Sequence, residues 1–248
     1  MYFYFGFCYT KTVGDFMKLL KICVIVSLVL LFTACGNKES DAIRFKKEYE
    51  SLNSKKSASG HKIKNIKISK KNPIKYSNYD EVIDVIKNKT GVIYLGYPEC
   101  PWCRTALPVL LEAANDYKID TIYYINIKDD RDYYEVKNGK VVYQKDESGK
   151  EKKGTDGYFK LVKVLDTELK DYIIKDEDGK EYNVGEKRIY VPLIVFVHEG
   201  KIIGSHTSTV DTQENGYDDL TEDERDELNG IYADYIKKLV NNYCDEAC

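Results

Sequence analysis

The motif Cys100-Pro101-Trp102-Cys103 comes shortly after the apolar run Gly91 to Tyr97, and this junction constrains the fold more than any other stretch of the chain. A continuous apolar run of this length suits a buried central strand. Proline suits the first position of a helix, where its missing N–H leaves nothing unpaired. The junction therefore reads as a strand feeding a helix, with Cys100 at the helix start. There the unpaired N–H groups and the positive end of the helix dipole favour a thiolate, the species that attacks disulfides. Two cysteines separated by two residues can close a small ring and reopen it. The spacing points to electron exchange between dithiols and disulfides.

Other readings of the same four residues stay open on sequence grounds. The pair can be an inert structural disulfide, a site that no longer reacts, or half of a zinc site completed by Cys244 and Cys248. Zinc needs four ligands in tetrahedral reach, and nothing in the sequence forces the terminal pair to lie nearby. The expectation is no metal and no cofactor. The histidines His61, His198 and His206 have no ligand spacing and read as surface or strand residues.

The N-terminus bears on the compartment. Lys18 and Lys21 precede the apolar stretch Ile22 to Phe32, and the small residues Thr33 and Ala34 follow it, before Cys35. A basic start, a short apolar core and small residues at a cut site describe a secretory signal rather than a membrane span. Leu31-Phe32-Thr33-Ala34-Cys35 resembles a bacterial lipoprotein signal, which implies that Cys35 becomes the lipidated first residue of the mature protein. Residues 1–16 fit no part of such a signal, whereas Met17 is a natural start. An uncleaved N-terminal anchor is the alternative. Loss of residues 1–34 removes Lys11, Lys18, Lys21 and Asp15, taking the net charge from −3 to −5. No basic field is left to attract nucleic acid, so none is expected as a partner.

The seven cysteines then sort themselves. Cys8 and Cys23 leave with the leader and Cys35 takes lipid, so two pairs remain: Cys100/Cys103 and Cys244/Cys248. Outside the cytoplasm such pairs persist oxidised. At i, i+4 on a terminal helix, Cys244 and Cys248 share a face, although helix geometry strains a direct bond. They read as a second small disulfide, as free thiols, or as a second redox pair exchanging with the first.

Three domains of the sequence are expected: the leader 1–34, a lysine-rich membrane tether 35–72, and a folded domain 73–248. The tether contains Ser57-Ala58-Ser59-Gly60 and spans roughly 35 Å if flexible; a short helix is possible within Ala42 to Asn53. In the folded domain, Ile74–Tyr76 is a candidate strand, and Ser77 or Asn78 caps a helix carrying Val82, Ile83 and Ile86. The helix after the cysteines runs from Pro101 to about Tyr117, and Thr121–Ile127 is the next strand. Residues 157–172 read as a helix, and Asp178-Gly179 as the tip of a hairpin. Val191–Val197 is a strong strand with Lys201–His206 as its antiparallel neighbour. Thr221 and Glu224 form a possible capping box for a last helix, whose buried stripe is Leu228, Ile231, Tyr235, Leu239 and Val240.

This order of elements, together with Cys100-Pro101-Trp102-Cys103, Pro108 within the following helix and Pro192 opening the next strong strand, resembles the thioredoxin superfamily. The resemblance covers about residues 74–243. It implies an α/β thioredoxin-like fold, with a central mixed β-sheet flanked by helices and an inserted helix and hairpin region at about 129–190. It further implies that Cys100 is the nucleophile and Cys103 the resolving thiol, and that Pro101 and Trp102 tune the potential. Pro192 is then a cis proline that presents the Val191 backbone to an extended substrate strand. Arg104 adds positive potential near Cys100 and Glu99 opposes it. The run Tyr97 to Arg104 on a lipoprotein resembles the thioredoxin-like bacteriocin transport accessory proteins. The resemblance implies a membrane-anchored extracytoplasmic oxidoreductase, lipid-held to the bacterial cell membrane through Cys35. Its partners are disulfide-containing or dithiol proteins, and a redox partner in the membrane. The alternative is a non-catalytic binding module serving a transporter or a secreted peptide such as a bacteriocin. One residue departs from the family. Thioredoxin has a buried aspartate six residues before its first cysteine, and here that position is Tyr94, which leaves no obvious internal base for Cys103.

Overall fold

Residues 39–240 are described by the structure, a computed structural model. The chain divides into Met1–Ser40, of which only Glu39 and Ser40 are described, and Asp41–Cys248, to which everything below belongs. The expected leader, Met17, Cys35, Cys244 and Cys248 lie outside the described residues.

In chain order the elements are α1 (Asp41–Glu50), β1 (Ile74–Tyr76), α2 (Tyr79–Asn88), β2 (Gly91–Gly96), α3 (Pro101–Asp116) and β3 (Ile122–Asn126). A hairpin of β4 (Tyr134–Lys137) and β5 (Lys140–Tyr143) follows, then α4 (Asp156–Val164) and a second hairpin of β6 (Lys170–Lys175) and β7 (Glu181–Arg188). The chain returns through β8 (Leu193–His198), β9 (Lys201–Thr207) and α5 (Glu222–Val240). The result is an α/β protein whose five-stranded sheet has the order β1-β3-β2-β8-β9. β1, β3 and β2 run parallel, while β8 runs antiparallel to both β2 and β9.

β2 is apolar throughout because the sheet is covered on both faces. Alternate residues point to opposite sides of a strand. Val92 and Tyr94, with Ile122, Tyr124, Ile194 and Phe196, face a core closed by α1, α3 and α5. Ile93 and Leu95, with Ile125, Leu193, Val195 and Val197, face a second core closed by α2 and α4. Asn78 caps α2, its side chain accepting the Glu81 N–H at 2.9 Å. Thr221 and Glu224 close a reciprocal capping box at α5, with Thr221 N–H donating to Glu224 Oε2 at 2.8 Å. Pro108 sits inside α3.

The lysine-rich segment before residue 73 is not a free tether from Asp41 onward. Phe45 and Tyr49, four residues apart on one face of α1, are buried against Tyr124, and Ile63, Ile66 and Ile68 are buried behind them. The Asn53 side chain replaces a strand partner by bonding both the carbonyl and the N–H of Ile66. Average composition hid this packing, because five well-spaced apolar residues sit among exposed lysines. Residues 157–172 also differ from the single helix expected. The helix ends at Val164, a 3-10 turn follows at Asp166–Glu168, and Lys170 starts a strand, because Lys170–Lys175 pairs with Glu181–Arg188. On α5 the buried stripe is Leu228, Tyr232, Ile236 and Leu239. Ile231 and Tyr235 are half-buried, and Val240 is exposed.

Candidate active site

Cys100 occupies the N-cap of α3, and its Sγ accepts the Cys103 N–H at 3.3 Å. Pro101 takes the first helical position, as its fixed backbone favours. Both thiols are free; Cys100 is 5% exposed and Cys103 is sealed at 0%. Their environments push them apart. The Cys103 thiol, hydrogen-bonded to Cys100, lowers the Cys100 pKa; burial opposes this, while the Cys103 and Trp102 N–H groups and the Arg131 charge assist. Cys103 is pushed well above the ordinary thiol range by burial first, then by its hydrogen bond to Cys100 and by the Cys100 charge. Between the two, the thiolate is therefore favoured at Cys100 and the proton at Cys103.

Opposite the pair, the Val191–Pro192 peptide is cis, and Cys100 Sγ donates to the Val191 carbonyl at 3.7 Å. Pro192 is buried and Val191 half-buried, so the strand entering β8 meets Cys100 through its backbone. Trp102 is half-buried and lies over Gly216, where an added Cβ would stand 2.8 Å from the indole ring. Close approach of the loop before α5 to the motif thus needs glycine at that point.

The positive charge near Cys100 comes from Arg131, in the region inserted after β3. Its Nη2 donates to the Tyr97 and Tyr133 hydroxyls at 3.2 and 3.1 Å, and its guanidinium lies 5.1 Å from the Tyr97 ring centroid. The buried Arg188 donates to the Asp132 carbonyl at 2.8 Å and stacks 3.9 Å from the Tyr172 ring centre, tying the two ends of the insertion together. Arg104, expected to act on Cys100, turns the other way. It is 1% exposed, and its guanidinium donates to the carbonyls of Lys64, Tyr49 and Pro98 and to Asn53 Oδ1. Four oxygen acceptors in reach hold it in the interior, so it clamps the N-terminal segment to the loop before Cys100. Glu99 stays exposed and pairs with Lys128 at 2.6 Å.

Behind Cys103 the wall is phenolic. An ideal Cβ on Gly96 would stand 2.7 Å from Tyr94 Oη and 3.0 Å from Cys103 Sγ, so hydroxyl and thiol share one small space. Tyr94 Oη is 2.8 Å from Tyr49 Oη, both buried. Tyr94 stacks on Tyr124 with ring centres 5.3 Å apart. Sequence reasoning placed Tyr94 here but missed Tyr49 and Arg131. The i, i+4 pair Phe45/Tyr49 was a usable signal for Tyr49; Arg131 lies in a charged run without periodicity and gave none.

Among the described residues, no group of three or more His, Cys, Asp or Glu side chains is placed to hold a metal ion. Among them, too, no helix is long and apolar enough to cross a membrane. No family model, no curated protein and no solved structure matches the chain.

Proposed function

We propose that this chain is a thioredoxin-like thiol–disulfide oxidoreductase, held outside the cytoplasm on the bacterial membrane by a lipid on Cys35, and that it exchanges disulfides with protein substrates. The observation that carries the reading is Cys100 at the start of α3. Its sulfur takes the Cys103 N–H, faces the Val191 carbonyl, and keeps a lowered pKa while Cys103 keeps its proton.

In one direction the Cys100 thiolate attacks a sulfur of the partner's disulfide. A Cys100–partner S–S bond forms, the partner's S–S bond breaks, and the partner's other sulfur leaves as a thiolate. Cys103 then loses its proton and attacks Cys100 Sγ. The internal disulfide forms, the partner's remaining sulfur is expelled, and the partner is reduced by two electrons as the pair is oxidised. Run backwards, the same steps oxidise a dithiol. The Val191 carbonyl offers a hydrogen-bond acceptor to an extended partner strand, while Pro192 has no N–H of its own to donate. Trp102 on its Gly216 support forms one side of the approach.

The test is to express Cys103→Ser in intact cells and trap partners. The reading expects mixed disulfides through Cys100 that vanish in Cys100→Ser/Cys103→Ser. Absence of any Cys100 adduct, with the double variant retaining full biological activity, would favour a non-catalytic binding module instead.

A further inference from the structure

Charge is unevenly divided along the folded chain. From Asp41 to Lys75, eleven lysines and arginines stand against three acidic side chains, whereas from Tyr76 to Val240 the balance reverses to 23 against 34. The basic stretch is packed onto the domain, so its charge has a fixed place. Ile63, Ile66 and Ile68 are buried, while Lys62, Lys67, Lys70 and Lys71 are exposed. The first half of α1 is fastened to the end of this stretch. Asn72 Nδ2 donates to the Ala42 carbonyl at 2.9 Å, the Tyr76 N–H to Asp41 Oδ2 at 3.1 Å, and Lys46 Nζ to the Ile68 carbonyl at 2.9 Å. Arg44, exposed on α1, lies 3.8 Å from the Tyr76 ring centroid. Between this stretch and the C-terminal half of α3 runs a groove of about 660 Å³, lined among others by Lys67, Lys71, Asn72, Glu112, Lys118 and Asp120. Arg225 takes the Glu112 carboxylate, which leaves three lysines against Asp120. The end of α3 adds little negative potential, because the Ala113, Ala114 and Asn115 carbonyls accept the N–H groups of Tyr117, Ile119 and Lys118.

We infer that this basic face, with the Lys67–Lys71–Lys118 groove at its centre, docks on the anionic phospholipid headgroups of the membrane and orients the domain there. The inference rests on the lipid-held reading of the proposed function. Six residues separate Cys35 from Asp41, a covalent reach of at most about 20 Å. Asp41 opens the helix whose start is bonded to this face, so a lipid on Cys35 brings these lysines to the headgroups first. A basic patch beside a lipid anchor adds a second attraction, and the acidic remainder of the domain is repelled by the same surface. Charge therefore selects one orientation out of those the anchor permits. Cys100 caps the other end of α3, roughly 20 Å along the helix from Asn115. Docking through the groove leaves the redox pair open to partners that arrive from solution.

The test places the full chain, purified from membranes, on vesicles of phosphatidylcholine alone or of phosphatidylcholine and phosphatidylglycerol in equal parts. Lysines are acetylated with sulfosuccinimidyl acetate and their rates mapped by mass spectrometry. Lys67, Lys71 and Lys118 are expected to react about fivefold more slowly on the mixed vesicles at low salt, the worth of one lysine–headgroup contact. The difference should vanish at about 1 M salt, where charges are screened within about 3 Å. Lys145, after β5, and Lys180, between β6 and β7, should react alike on both. Equal rates for the three groove lysines on the two vesicles overturn the inference. Equal slowing of Lys145 and Lys180 overturns it as well, since it marks unspecific attraction. Protection by soluble polyphosphate without protection on mixed vesicles assigns the face to a soluble anion and also overturns it. Cys100 should be alkylated equally fast on both vesicles, and its shielding on the mixed ones contradicts the orientation. The lipid on Cys35 is read separately, from the mass of its peptide. If it is missing, the lipid-held reading falls at that step, and the same lysine rates, measured with vesicles in excess, still decide the face.

Discussion

Arg104 Nη1 donates to the carbonyl of Tyr49 at 2.9 Å, joining residues 55 apart in the chain, and the same nitrogen donates to the Pro98 carbonyl at 3.1 Å. One buried cation therefore fastens the segment carrying α1 to the loop that delivers Cys100. Arg104→Met would leave several interior oxygens unpaired, and roughly 3 kcal/mol of stability should be lost. Arg104→Lys should fall between the two, since an ammonium cannot span a planar set of acceptors. Urea unfolding midpoints measure this, together with increased proteolysis between residues 54 and 64. A loss below about 0.5 kcal/mol in Arg104→Met would contradict the clamp.

Arg131 is expected to govern the reactivity of Cys100, since its charge assists the thiolate from the Tyr97 side. Arg131→Met should reduce alkylation of Cys100 by iodoacetamide at pH 7 by about two- to fivefold and displace the pH profile upward. Arg104→Lys should leave that profile in place. Mass-spectrometric rates at Cys100 across pH 5–10 read both.

Gly96 backs both Cys103 and Tyr94. Gly96→Ala would push a methyl against Tyr94 Oη and Cys103 Sγ. A destabilisation of about 1–3 kcal/mol is expected, as for overpacking elsewhere, together with slower closure of the internal disulfide. Thermal melting and quenched-flow closure kinetics provide the two readouts.

His206 carries a pH dependence. Its pKa is lowered, first by burial, against a hydrogen bond to the Thr209 carbonyl at 2.8 Å and the charges of Asp211 and Glu227. The folded state therefore holds the ring neutral where the unfolded chain has begun to bind a proton. Stability from this group is present above the ordinary histidine pKa of about 6.5 and is lost as pH falls below it. The melting temperature should drop between pH 7.5 and 5.5, and His206→Asn should flatten that slope.

Much of the scaffold was legible in the sequence because its signals are local. An apolar run bounded by Pro98 and followed by Pro101 names a buried strand and a helix start, and β2 and α3 match it closely. Asp178-Gly179 marked the turn between β6 and β7. The misses share a cause, which is that their burial depends on distant partners. Phe45 and Tyr49 lie in a lysine-rich stretch and reach the core only because Tyr124 waits on β3. Lys170–Lys175 has helical neighbours but is claimed by the strand it pairs with. The charge beside Cys100 comes from Arg131 rather than from the expected Arg104, because a guanidinium goes where its acceptors are, and spacing along the chain does not reveal acceptors.

The central claim is that Cys100 and Cys103 cycle between dithiol and disulfide. Equilibrating the full chain with thiol–disulfide buffers of graded potential and mapping the Cys100–Cys103 bond tests it most directly. The account predicts a reversible two-electron transition between about −270 and −120 mV, the range of catalytic dithiols. A pair that never closes, or a bond that stays intact below about −300 mV like a structural disulfide, would contradict it.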